Sequence, residues 1–229
     1  CIEFISDNSA KIILVPGFIA SDEKGKITTL GRGGSDYTAS LLANYLNVAL
    51  LEIWTDVSGM FTAHPNLVSQ ALPIARLSYQ EAMELSHFGA KVIYPPTLQP
   101  LIEKEIPILI KNTFDADAQG TKIDNNGSSK GGNGTVVKGV SHIEKVALIN
   151  LEGSGMIGIP GFSKRLFECL SLKQINIIMI TQASSEHSIC IGVRMEDAAE
   201  AKKAIDSQFE FEISRSRVEP AKVELNMTN

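Results

Sequence analysis

Apolar residues in the first half of the chain fall in short, nearly continuous runs, and the segments between them repeat at helical spacing. KIILVPGF (11–18), VALLEIW (48–54) and IPILIKN (106–112) are runs of strand length. Between them, Tyr37, Leu41, Leu42, Tyr45 and Leu46 mark one face of a helix over 36–46, and further helical patterns cover 79–88 and 97–104. Strands that are apolar on both faces and separated by helices predict a parallel sheet covered on both sides. The helix at 79–88 has the best-defined ends. Ser78 and Glu81 form a capping box, and Gly89 stands where a C-terminal glycine belongs.

At DNNGSSKGGNG the pattern stops. This polar, glycine-rich run contains no apolar residue. It cannot support a packed element, and it predicts a flexible linker over 124–135 between a first domain at 1–123 and a second at 136–229. The second half reads as strand (146–151), glycine-rich turn, helix (162–172), strand (175–181), strand (187–194), helix (198–209) and a final strand-like stretch. That βαββαβ order predicts a ferredoxin-like unit, a four-stranded antiparallel sheet with two helices on one face. Its turn spells GSGMIG (153–158), which satisfies the dinucleotide fingerprint GxGxxG. The fingerprint also requires an acidic residue ending the second strand, where INIIMIT runs into Gln182, Ala183 and Ser184 instead. A nicotinamide site is therefore disfavoured, and the glycines read as a loop that lets a ligand approach.

The strongest chemical signal is TTLGRGGSD (28–36), which sets Gly31, Gly33, Gly34 and Arg32 directly ahead of the helix at 36–46. Unpaired N–H groups of a first helical turn and the positive end of its dipole favour a carboxylate or phosphate. Arg32 adds a planar, bidentate clamp for such an anion. Thr55 and Asp56 follow the strand VALLEIW, at the carboxyl end of a sheet strand where open α/β folds bind ligands. Asp56 equally suits the start of a turn into Gly59. Lys91 stands at a helix end, able to pair with phosphate or with the last helical carbonyls.

Composition narrows the function classes. The net charge of −5 and pI near 5.4, with no basic stripe, argue against nucleic acid as a partner. No apolar run reaches the ~18 residues that span a bilayer, and neither a signal peptide nor membrane association is expected. Cys1, Cys169 and Cys190 form no CxxC pair, which fits a reducing, cytoplasmic setting. The four histidines show no metal-ligand spacing, so no protein-built metal site is predicted, and no GxSxG supports a serine hydrolase. The chain starts with Cys1 inside an ongoing pattern, which reads as a fragment of a longer protein.

Taken in order, TTLGRGGSDYTASLLA, EIWTDVSGMFTAHP, SYQEAMELSHFGAKVIYPPT and VKGVSHIEKVALINLEGSG resemble aspartate kinase continuing into the first of its ACT regulatory domains. The resemblance covers almost the whole chain. It implies the C-terminal part of a three-layer, parallel-sheet amino-acid-kinase fold followed by a ferredoxin-like ACT domain. VALINLEGSG and INIIMITQASSEHSI look most like the threonine-sensitive branch fused to homoserine dehydrogenase. The implied reaction transfers the γ-phosphoryl group of MgATP to the side-chain carboxylate of L-aspartate. Arg32, Gly33, Gly34 and Ser35 would contact aspartate, and Asp36 would orient the reacting groups. Thr55, Asp56, Phe61, Lys91 and Val92 would line ATP. Gly153, Gly155, Met156 and Gln182 would contact an amino-acid effector, threonine before lysine, in a homo-oligomer. Two departures from the family stand out. The common DPR triplet is here His64, Pro65 and Asn66, and no KFGG-type lysine motif is present. The chain alone is therefore expected to be inactive, an expectation that aspartate-dependent ADP formation would refute. A non-catalytic amino-acid-binding regulatory subunit and another enzyme of the amino-acid-kinase fold are the alternatives.

Overall fold

The computed structural model describes residues 12–87, 92–127, 137–182 and 187–227, which form two compact units divided after His142. In the first unit a short hairpin, β1 (Ile19–Ser21) and β2 (Ile27–Thr29), precedes helix α1 (Gly34–Leu46). Strand β3 (Leu51–Thr55), strand β4 (Arg76–Leu77), helix α2 (Tyr79–His87), a 3-10 turn (Pro95–Leu98), helix α3 (Gln99–Ile102) and strands β5 (Ile108–Asn112) and β6 (Thr121–Ile123) follow. The sheet order is β3-β5-β6-β4. β3 pairs with β5 in parallel, Ile53 opposite Ile110, whereas β6 runs antiparallel to β5 and parallel to β4. The sheet is thus mixed. Strands of two and three residues are too short to carry a readable period, so the sequence shows neither β4 nor β6.

Burial explains which runs became strands. Ile108, Ile110, Ile123 and Leu77 are fully buried, beneath Leu98 and Leu101 from the 3-10 turn and α3. The run 11–18 departs from its prediction. Residues 12–17 join no strand, and Ile12 and Leu14 are 87% and 94% exposed. A strand is stabilised by ladder bonds to a neighbour, and residues 12–17 form none with a described residue, whereas Phe18 O at the end of the run accepts from Leu30 N–H at 2.9 Å. The capping box at α2 forms in full: Ser78 N–H donates to Glu81 Oε2 at 2.8 Å, and Glu81 N–H donates to Ser78 Oγ at 3.1 Å. Ser78→Ala should cost about 1 kcal/mol, read as a lowered denaturation midpoint at unchanged slope. Gly89 lies outside the described residues.

In the second unit, β7 (Val146–Glu152), α4 (Phe162–Leu172), β8 (Ile177–Gln182), β9 (Ser188–Arg194), α5 (Ala198–Gln208), α6 (Glu210–Ser214) and β10 (Lys222–Met227) build an antiparallel sheet of order β10-β7-β9-β8. Period-two burial is plain in β7. Ala147, Ile149 and Leu151 join the core shared with Leu166, Leu170, Ala201 and Ile205 of the two helices, and the residues between them are half-buried. Phe162 and Phe209 stack at 5.2 Å, and Arg165 lies 4.6 Å over Phe209 while holding Glu212 with two donors. The extra helix α6 is not apparent in the sequence pattern.

The domain limits also shift. Asp124, Asn126 and Gly127 belong to the first unit, because the Asp124 carboxylate accepts from Arg76 and from the N–H groups of Asn126 and Gly127. Residues 137–142 also belong to it. The linker predicted over 124–135 is therefore narrower at its start, and the rest of it lies largely outside the described residues.

Candidate functional site

The GRGGSD segment builds an open helix start. Gly31 and Gly33 have φ of 74° and 71°, a left-handed conformation that glycine adopts without a Cβ penalty. A Cβ on Gly33 would also stand 2.5 Å from Cβ and Cγ of Tyr94, so this position admits glycine alone on two grounds. Gly34 N–H is taken by Gly31 O and Tyr37 N–H by Gly33 O. No side chain caps the helix, and the N–H groups of Ser35 and Asp36 have no acceptor among the described residues. Arg32 is exposed and likewise has no ion-pair partner among them. Two unpaired N–H donors, the positive end of the helix dipole and the guanidinium of Arg32 thus belong to one turn, in which Asp36 is the acidic residue.

Topology brings this helix start to the carboxyl end of β3. Asn47 caps α1 in the left-handed region (φ 51°, ψ 51°) and reverses the chain into β3. Helix and strand are both roughly 17–20 Å long, so the N-terminus of α1 and the C-terminus of β3 share one edge. Thr55 and Asp56 end β3 there, with Thr55 Oγ1 donating to Asp56 Oδ1 at 3.1 Å. The parallel register sets Asn112 opposite Thr55. Thr113 N–H donates to Thr55 O at 2.8 Å, and Asn112 Nδ2 donates to Ser58 Oγ at 2.8 Å. Phe61 follows in a loop that bridges to Pro73. Val92 packs half-buried against the first core, and Lys91 lies outside the described residues.

Asp36 is half-buried in the first turn, and burial pushes its carboxyl pKa up. No hydrogen bond or ion pair reaches it among the described residues. At neutral pH its charge is therefore offset by the helix dipole alone.

Two family models match. The amino acid kinase family matches residues 1–112 and the ACT domain matches 149–209. The chain is 44% identical over 213 residues to a bifunctional aspartokinase/homoserine dehydrogenase of Haemophilus influenzae, covering 93% of this chain and 26% of that protein. An Arabidopsis thaliana bifunctional aspartokinase/homoserine dehydrogenase is 41% identical, covering 94% and 24%. The structure of Escherichia coli aspartokinase III in complex with aspartate and ADP superposes with a TM-score of 0.67 at 33% identity, covering 91% of this chain and 45% of that one. The chain belongs to the aspartokinase family. It spans about a quarter of the length of the curated relatives it matches.

In this aspartokinase segment, sequence reasoning missed Tyr94, Phe18 and Asn112. Tyr94 packs on Gly33, and Phe18 stands against Gly34, where a Cβ would lie 3.0 Å from the Phe18 ring. Such contacts between distant segments leave no local signal. In the ACT unit, the reading of Gly153 and Gly155 as room for a ligand is corrected. Cβ atoms there would lie 2.5 Å from Val218 Cα and 2.6 Å from Arg217 Cβ, so the protein's own chain fills that space. Met156 is 3% exposed and belongs to the core. Gln182 is exposed, with Ser163 Oγ 3.5 Å from its Oε1. It ends β8 beside the start of β9, the end of the sheet at which Gly153 N–H donates to His187 O. Among the described residues, no helix is long and apolar enough to cross a membrane.

Proposed function

We propose that this chain carries part of the active site of an aspartate kinase, which transfers the γ-phosphoryl group of ATP to the side-chain carboxylate of L-aspartate, together with the ACT domain that regulates it. The observation that carries the reading is the open turn at Arg32–Asp36, whose donors lack a protein acceptor, on the same edge as Thr55 and Asp56. Arg32, Gly33, Gly34 and Ser35 bind the carboxylate substrate, and Thr55, Asp56, Phe61, Lys91 and Val92 line the nucleotide. The relative crystallised with aspartate and ADP supports the same pair of ligands.

An ionised carboxylate needs no deprotonating base at neutral pH, so positioning and charge neutralisation are the chemistry required. Arg32 and the Ser35 and Asp36 N–H groups orient the acceptor. Asp36 orients the reacting groups and is not a proton acceptor. Among the described residues no group of three carboxylate, histidine or cysteine side chains could cage a metal. Mg²⁺ bound with ATP would supply charge neutralisation. Asp36 and Asp56 are the carboxylates this edge offers it. For the ACT unit, the exposed Gln182 is the proposed effector contact. Threonine is favoured over lysine by the resemblance of VALINLEGSG and INIIMITQASSEHSI to the threonine-sensitive branch, although one relative is crystallised with lysine. A homo-oligomer is proposed on the same family grounds.

The test is an aspartate titration of the chain, with amide shifts at Gly33–Asp36 as the readout. Arg32→Ala should weaken aspartate binding by about tenfold to thirtyfold, the loss of a charge-assisted bidentate contact. Equal binding by the variant would refute the assignment. Binding of threonine or lysine in a chain that never binds aspartate would favour a regulatory subunit.

A further inference from the structure

The last described residues before the ACT unit, 137–142, pack on the loop that follows Thr55 and Asp56. Val140 N–H donates to Thr62 O at 2.8 Å. A Cβ on Gly139 would lie 3.3 Å from Thr62 O and 3.6 Å from Phe61 O, so the two main chains run in contact. Thr62 is also held from its other side, its N–H donating to Leu72 O at 2.9 Å and its Oγ1 accepting from Leu72 N–H at 3.0 Å. Lys138 pairs with Glu81, the same carboxylate that closes the capping box of α2. The His142 ring meets the His64 ring edge-on at 5.7 Å, and His64 Nδ1 accepts Asn66 N–H at 3.3 Å across the turn that lacks the family's arginine.

We propose that residues 137–142 are a positioning strap for the nucleotide loop, fixing the Phe61–Thr62 main chain where ATP is held. The proposal rests on the nucleotide reading of Thr55, Asp56 and Phe61. The strap continues directly into Ile143, where the second unit begins. The ACT domain is therefore covalently attached to an element fastened to the nucleotide half of the site. A change that loosens or shifts the strap alters the free energy of holding nucleotide, and nucleotide binding must stabilise the strap by the same amount.

The experiment compares the full chain with Val140→Pro, which removes the donated N–H, and with Lys138→Met, which removes the ion pair. MgADP and L-aspartate are titrated separately, and amide hydrogen exchange is followed along 58–72. Both variants should weaken MgADP about fivefold to tenfold, within the range of coupling through packed elements. Aspartate binding should stay within about twofold, and exchange at Thr62 and Leu72 should accelerate. In the unaltered chain, MgADP should slow exchange at Val140. Unchanged MgADP affinity in both variants overturns the strap, and so does an equal loss of affinity for both ligands, which signals general loosening. A chain that binds aspartate but never MgADP overturns the nucleotide reading itself. If Val140→Pro does not fold, Lys138→Met carries the comparison.

Discussion

Replacing Asp36 by asparagine should raise the thermal stability of the ligand-free chain at pH 7 while lowering aspartate-dependent phosphoryl transfer by about 10²- to 10³-fold. Both effects have one cause. Asp36 sits half-buried at an open helix start, and burial raises its pKa with no partner among the described residues to offset it. A carboxyl whose folded pKa is raised stabilises the fold fully only below its unfolded pKa and loses that contribution as pH rises through the folded value. At pH 7 the penalty is therefore present in full, and the neutral amide removes it. The melting-temperature advantage of Asp36→Asn should be greatest near pH 7 and shrink toward zero as pH approaches 4. Activity is measured as ADP release by the chain joined to an aspartokinase amino-terminal lobe that carries the lysine motif. An Asn variant less stable at pH 7 would mean that Asp36 serves packing. A variant with full activity would remove it from the site. Strain retained where chemistry needs a charge is the expected cost of function.

Local signals were legible in the sequence, and long-range ones were not. The capping box of α2 could be read because Ser78 and Glu81 bond to each other's main chain within one turn. Helix α4 could be bounded because its apolar face and flanking glycine are local too. The βαββαβ order determined the second sheet, since antiparallel pairing of four period-two strands leaves few alternatives. The first sheet was only partly readable. Its antiparallel member β6 has three residues, of which Thr121 is buried for its hydroxyl, which donates to Ile74 O at 2.6 Å and accepts from Met60 N–H at 2.8 Å. A buried threonine bonded to two loops resembles a polar loop residue in sequence. The same limit applies at the site. Gly33 announced a special backbone, whereas Tyr94, which makes glycine obligatory there, is separated from it by two strands and two helices. Gly153 shows the converse error, because a glycine needed for close packing looks identical to one needed for a ligand.

Asp124→Asn should destabilise the first unit by about 2–3 kcal/mol at pH 7, a loss typical of hydrogen bonds to a charged group. Asp124 is 8% exposed. Arg76 reaches both of its oxygens, Nε at 3.1 Å and Nη2 at 2.6 Å, and Lys122 lies at 3.6 Å. Burial alone pushes its pKa up, but the hydrogen bonds and charge of Arg76, the Asn126 N–H and Lys122 together bring it below the ordinary value. A carboxyl with a lowered folded pKa contributes stability above its unfolded pKa and loses it as pH falls through the folded one. The gap between the unaltered chain and Asp124→Asn, followed by denaturant midpoints, should therefore be constant from pH 7 to about 5 and close below about 4. A second readout is independent of stability. The Tyr79 phenol, whose hydroxyl donates to Ile106 O at 2.6 Å, is pushed up to about 12 by burial, by Asp124 and by Glu105. Removing the Asp124 charge should lower that value in an ultraviolet titration. A gap that does not narrow as pH falls below about 4, or a phenol that does not respond, would show that Asp124 acts by shape and not by charge.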